Sequence, residues 1–270
     1  MRRGERLALL SKILCENPNR VISLKFFSER LDAAKSSISE DLNIIKNAFM
    51  LSGEGELSTI AGAGGGVRYR IKKPESEIKS FVETLCENLK DQKRIIPGGY
   101  IYMTDVIFSP EYSVKIGEIF AQIFMDREPT CVLTVETKGI PIALMTARAL
   151  DVPLVVARRD SRVTEGPSVN ISYVSGTGQK IQNMSLPKRA LSENARVLIV
   201  DDFMKGGGTA RGMMELSAEF NAEVVGVAVL VATGTPQCKL VKDYTSLMVL
   251  DGIDTEKGII NIRPDKITIS

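Results

Sequence analysis

Two adjacent carboxylates, a cation and a run of glycines make up the part of this chain best suited to chemistry. They lie in VLIVDDFMKGGGTARGM, Val197 to Met213. Lys205, Gly206, Gly207, Gly208 and Thr209 can cradle a phosphate. Glycines let backbone N–H groups come close to it, and a helix starting behind them adds partial positive charge. Thr209 offers a hydroxyl donor and Lys205 a countercharge. Asp201 and Asp202 would repel a bare phosphate. They are explained if the phosphate sits on a sugar whose two vicinal hydroxyls donate to them. Phe203 and Met204 separate the carboxylates from the turn. The bland alternative is a tight glycine turn after an acidic strand end, with no ligand.

Few other groups compete for a catalytic role. The 270 residues contain no histidine, which removes Ser-His-Asp and Cys-His catalysis and histidine metal sites. Cys15, Cys86, Cys131 and Cys238 are scattered and read as reduced thiols, with no zinc site and no disulfide framework. The hydrophobic share is 44% and the charged share 25%, as in a soluble protein. No apolar run approaches the roughly 20 residues of a membrane span. The basic and then apolar start, MRRGERLALLSKILCENPNR, is interrupted by Glu5, Arg6, Ser11 and Lys12 and lacks a small-residue cleavage site. A cytoplasmic protein is expected.

Elements must bring these residues together. From Cys131 the runs CVLTVE, PLVVAR, ISYV, VLIVD, VVGVAVLV and SLMVL read as strands, with helices in GIPIALMTARAL and GTARGMMELSAEF. This α/β alternation predicts a parallel sheet whose ligand lies at the carboxyl ends of the strands. Val197 to Val200 is then a strand and Lys205 to Thr209 the turn into a helix. Thr137, Lys138 and Gly139 follow the first strand and can donate to a second anionic group. Arg158, Arg159 and Arg162 lie in the loop ARRDSRVTEG. In GGYIYMTD, Tyr100 and Tyr102 share one face of an extended segment, a stacking wall for a base with Phe203 opposite; packing in the core is the equal alternative.

The front of the chain differs in charge. Residues 1–73 hold 13 Lys+Arg against 8 Asp+Glu, and the remainder 22 against 25. A polyanionic partner for the front follows. Leu7, Leu10 and Leu14 mark a helix ending at ENPN, and SLKFFSERL a second one capped by Ser23. In AKSSISEDLNIIKNAF, Ile38, Leu42, Ile45 and Phe49 share one face, opposite Ser36, Glu40, Asn43 and Asn47. Ser37 and Glu40 match a capping box. Lys35, Ser36 and Ser37 in its first turn, with Ser39 and Asn43 beyond, suit phosphate oxygens and base edges. GELSTIAGAGGGVRYRIKK reads as a hairpin with Arg68, Arg70 and Lys72 on one face, and Arg2 and Arg3 as a basic arm. The order predicts a winged helix-turn-helix over residues 1–73. A linker helix from Pro74 opens the second domain, residues 74–270.

The strand, acidic pair and Gly/Thr turn resemble the signature of the type I phosphoribosyltransferase fold, whose members bind phosphoribosyl pyrophosphate (PRPP). Over nearly its whole length the chain is similar to the family of purine operon repressors of Gram-positive bacteria. The similarity rests on FFSER, AKSSISEDL, IPGGYIYMTD, TKGIP, VTEG, ISYVSG and DDFMKGGGT. It implies a homodimeric repressor on operator DNA upstream of purine genes. Its phosphoribosyltransferase-like domain would be a sensor without catalytic residues, with PRPP as inducer, carrying Mg²⁺, and guanosine tetraphosphate as a competitor in the same pocket. Enzymes of the fold usually place a small residue where Lys205 stands. A cation there favours ground-state anion binding over displacement chemistry. The alternative is an active purine phosphoribosyltransferase with an appended DNA-binding domain.

Overall fold

A computed structural model of the chain describes residues 1–62, 64–159, 166–175 and 180–267. The chain divides into two compact units, Met1–Glu77 with Arg148–Asp151, and Ile78–Ala147 with Val152–Ser270.

The first unit runs α1 (Arg3–Glu16), β1 (Val21–Ile22), α2 (Leu24–Leu31), α3 (Lys35–Ser52), β2 (Gly55–Ile60) and β3 (Gly66–Ile71). The strands form an antiparallel sheet in the order β1-β3-β2. This is the winged helix-turn-helix layout. Leu10, Leu14, Phe27, Ile38, Leu42, Ile45 and Val67 meet in its core. Ser23 caps α2, its Oγ accepting from Phe26 N at 3.1 Å, and Asp32 ends that helix in the left-handed region.

Three expectations change here. The Ser37–Glu40 capping box does not form, because Ile38 N already donates to Ala34 O at 3.0 Å and Ala34 is the N-cap. Arg2, whose backbone N donates to Glu5 Oε2 at 2.9 Å at the start of α1, stays exposed, whereas Arg3 is no free arm, since its Nε donates to Asp41 Oδ1 at 3.1 Å. Arg6 Nε binds the other oxygen of that carboxylate, which is fully buried on α3 and needs countercharge. Thirdly, Arg68 and Arg70, expected to present a basic face of the hairpin to DNA, are half-buried. The added strand β1 pairs with β3, placing Val21 opposite Arg68.

In the second unit α4 (Glu75–Leu89) buries Val82, Leu85 and Leu89, and its Phe81 ring lies 6.4 Å from that of Tyr112. There follow β4 (Ile95–Ile96), β5 (Tyr100–Ile101), α5 (Thr104–Ile107), α6 (Pro110–Phe124), β6 (Cys131–Val135), α7 (Ile140–Leu150) and β7 (Leu154–Ala157). Then come β8 (Ser168–Ser175), β9 (Lys180–Pro187), β10 (Arg196–Met204), α8 (Gly208–Ala218), β11 (Glu223–Thr233), β12 (Thr245–Asp254) and β13 (Ile259–Pro264). The central sheet has the order β13-β12-β11-β10-β6-β7 and is parallel except for β13.

Five of the six apolar runs named above build this sheet. The sixth, ISYV, does not. It belongs to β8, which pairs antiparallel with β9 as a separate ribbon. Its burial alternates, with Tyr173 inside and Ser172 and Val174 outside, so only one face is covered. Tyr173 packs on Gly212 of α8, where a Cβ would stand 3.0 Å from the ring.

Candidate functional site

β10 delivers the acidic pair. Val197 to Val200 are fully buried between neighbours on both sides, and the strand, expected to end at Val200, runs on through the acidic pair to Met204, still paired with β11. Gly207, with φ of 81°, then turns the chain into α8. The turn encloses a pocket of about 180 Å³ lined by Asp201, Phe203, Lys205, Gly206, Gly208 and Thr209 among others.

The back of the turn is anchored. Gly206 O accepts from Leu240 N at 3.0 Å. Lys205 O accepts from Lys239 Nζ at 2.7 Å and Thr233 Oγ1 at 3.2 Å. In a trans peptide C=O and N–H point in opposite directions. The N–H groups of Gly206 and Gly207 therefore point away from these anchors. Lys239 was not singled out in the sequence; it is remote from the motif, and only folding brings it there.

The two carboxylates have different surroundings. Asp201 is 6% exposed, and its Oδ1 accepts from Asp202 N at 2.9 Å. Gly139 packs directly on it: a Cβ there would stand 2.5 Å from Thr134 Oγ1 and 2.9 Å from Asp201 Oδ1. Burial, and next the charge of Asp202, push the Asp201 carboxyl well above the usual carboxylate range. Asp202 is half-buried and is also raised, by burial, while its bond with Asp201 and the Lys138 charge oppose the shift. The TKGI loop and the acidic pair thus share one end of the sheet.

The loops after β6 and β7 are joined by Glu136 Oε1, which accepts from Arg159 N at 2.9 Å. Arg158 exchanges backbone bonds of 2.9 and 2.7 Å with Ser185 of β9. Arg159 is exposed and Arg158 half-buried. Arg162 lies outside the described residues. Tyr100 and Tyr102 are exposed and flank the buried Ile101, as one face of a strand requires. Arg94 holds this segment, donating to Tyr102 O at 3.1 Å and to both Asp105 oxygens at 2.7 and 2.8 Å. Among the described residues no ring pair joins either tyrosine to Phe203. Nor is any group of three Cys, Asp or Glu placed to hold a metal ion among them.

In the first unit Lys35, Ser36, Ser39 and Asn43 are exposed along α3 and Ser37 is half-buried. A groove of about 420 Å³ runs between α3 and the β2–β3 hairpin, lined by Lys25, Lys35, Ser39, Asn43, Lys46 and Thr59 among others. Arg68 and Arg70 do not line it. Lys46 does, and was missed, although its spacing of 11 from Lys35 repeats the helical period. Among the described residues neither Lys35 nor Lys46 has an ion-pair partner.

Comparison with known proteins fits this geometry. Residues 2–71 match the family described as bacterial purine repressor, N-terminal, and residues 105–265 the phosphoribosyl transferase domain. The purine biosynthesis transcriptional repressor PurR of Bacillus subtilis is 48% identical, over 97% of this chain and 92% of its own. The chain belongs to the PurR family. Another relative, the purine biosynthesis transcriptional activator PurR of Lactococcus lactis, is 41% identical over 97% of each chain. Adenine phosphoribosyltransferase of Saccharomyces cerevisiae has the same fold as the second unit, with a TM-score of 0.54 at 18% identity, covering 62% of this chain and 98% of that one.

Proposed function

We propose that this PurR-family chain is a cytoplasmic DNA-binding repressor of purine biosynthesis genes, and that PRPP releases it from its operator. The observation that carries the reading is similarity to a purine biosynthesis repressor across both halves of the chain. The lysine-lined groove beside α3 supports DNA as the partner of the first unit, since phosphate contacts by Lys and Arg supply most non-specific affinity.

The glycine turn of the second unit supports the phosphorylated effector. The phosphate of the ribose takes the N–H groups of the turn, and Asp202 accepts from the ribose hydroxyls. The pyrophosphate meets Lys138 and the backbone of Thr137 and Gly139. Mg²⁺ arrives on that pyrophosphate, where a metal needs few protein ligands. Guanosine tetraphosphate competes for the same pocket, its base against Tyr100 and Tyr102 or Phe203. Release of DNA requires that PRPP bind the free form more tightly than the DNA-bound form. The protein acts as a homodimer, matching its own twofold axis to paired half-sites.

Fluorescence anisotropy on labelled DNA from upstream of the organism's purine genes, titrated with PRPP at fixed salt, tests this. Tight binding that PRPP reverses is expected. Failure of specific DNA binding, with pyrophosphate formed from PRPP and a purine base, would make the second unit an enzyme instead. Promoter activity after deletion of the gene should rise; a fall would align the chain with its activator relative.

A further inference from the structure

Lys239 is a cation satisfied by oxygens that carry no full charge. Its Nζ donates to Lys205 O at 2.7 Å, Thr233 O at 2.8 Å and Pro236 O at 3.3 Å, with Thr233 Oγ1 at 3.4 Å. No carboxylate neutralises it among the described residues. The side chain is half-buried, and this burial depresses its pKa below the usual lysine value. A half-buried ammonium with no carboxylate partner loses part of its hydration, which these four oxygens replace.

The segment carrying it lies flat against the phosphate turn. A Cβ on Gly207 would stand 3.3 Å from both Leu240 N and Val241 N, and 3.6 Å from Lys239 Cβ. Leu240 N takes the carbonyl of Gly206, and Lys239 takes the carbonyl of Lys205. Two successive carbonyls of the turn are thus held from behind, which directs the two following N–H groups the other way. The ammonium charge also sits behind those peptides, aligned to strengthen their attraction for an anion.

We propose that Lys239 is the positioning residue of the anion site, holding the glycine turn in its binding geometry and supplying uncompensated positive charge behind it. This rests on the reading that a sugar phosphate occupies the turn. Lys205, separated from the acidic pair by Phe203 and Met204, contributes its carbonyl to this arrangement; Lys239 contributes the charge behind it.

The test is calorimetric binding of PRPP, ribose 5-phosphate and pyrophosphate to the full-length wild type, Lys239→Met and Lys239→Arg. Loss of a charged hydrogen-bond donor is expected to weaken PRPP and ribose 5-phosphate by about tenfold or more in Lys239→Met. Pyrophosphate, which lacks the phosphate that fills the turn, should bind that variant within about twofold of wild type. Lys239→Arg should recover most of the loss. A purely structural lysine predicts equal loss for all three ligands, or none, and either result overturns the proposal. Wild-type protein that binds pyrophosphate but neither sugar phosphate would overturn the sugar-phosphate reading itself, and this inference with it.

Discussion

Asp201 and Asp202 are identical in kind and adjacent in sequence, yet the fold gives them different surroundings. Asp201 is shut against Gly139 and Thr134, where its carboxyl resists ionisation. Asp202 keeps access to solvent, with Lys138 near enough to oppose its upward shift. Asp202→Ala is therefore expected to raise the PRPP concentration needed for DNA release by about tenfold or more, since charged hydrogen bonds are the strong ones. DNA affinity without PRPP should stay within about twofold, as anisotropy will read. Asp41 is the other carboxylate whose setting decides its role. Burial would raise its pKa, but the hydrogen bonds of Arg6 and Arg3 outweigh that and hold it low. A depressed folded pKa means stability that is fully present above the unfolded value and lost as pH falls through the folded one. Asp41→Ala should cost about 3 kcal/mol, because it strands the mostly buried Arg6. Denaturant unfolding at neutral pH and at pH near 3 should show that difference shrinking in acid.

At the scale of elements, α3 and the hairpin carry the DNA reading. The polar face of α3 was legible because apolar residues repeat along its other side, and that repeat dictates what is left for solvent. The hairpin was legible as two strands, but which of its cations reach a partner was not. Part of the answer lies in β1, a two-residue strand too short to leave a pattern, which pairs with β3 and sets Val21 opposite the half-buried Arg68. Lys46, on the other side of the groove, stays exposed. Lys46→Ala should weaken operator binding and make the dependence of log K on log salt shallower by about 0.9, the release of one counterion. An unchanged slope would place Lys46 off the phosphate backbone. The ribbon of β8 and β9 makes the same point: a short apolar run marks a strand, but only the burial of one face or two says which sheet it joins.

For the whole molecule the proposed assembly is a homodimer, whose twofold axis would match an operator made of paired half-sites. Sedimentation equilibrium should give about twice the 29.5 kDa chain mass. A monomer at concentrations that saturate operator DNA would contradict it. The regulatory reading also makes the two units report on one another: DNA should lower PRPP affinity by the same factor by which PRPP lowers DNA affinity.

The sequence by itself determined a winged-helix front, a parallel α/β back and a glycine turn after an acidic strand end. Those features are local: periodicity, glycine placement and adjacent charges all act within a few residues of chain. Only the tertiary structure decided that Asp201 is enclosed by Gly139, that Asp41 gathers Arg3 and Arg6, and that Lys239 stands behind the turn that Lys205 begins. Each of these joins residues distant along the chain. Their partnership follows from how strands are ordered and loops are folded back, which no local pattern encodes.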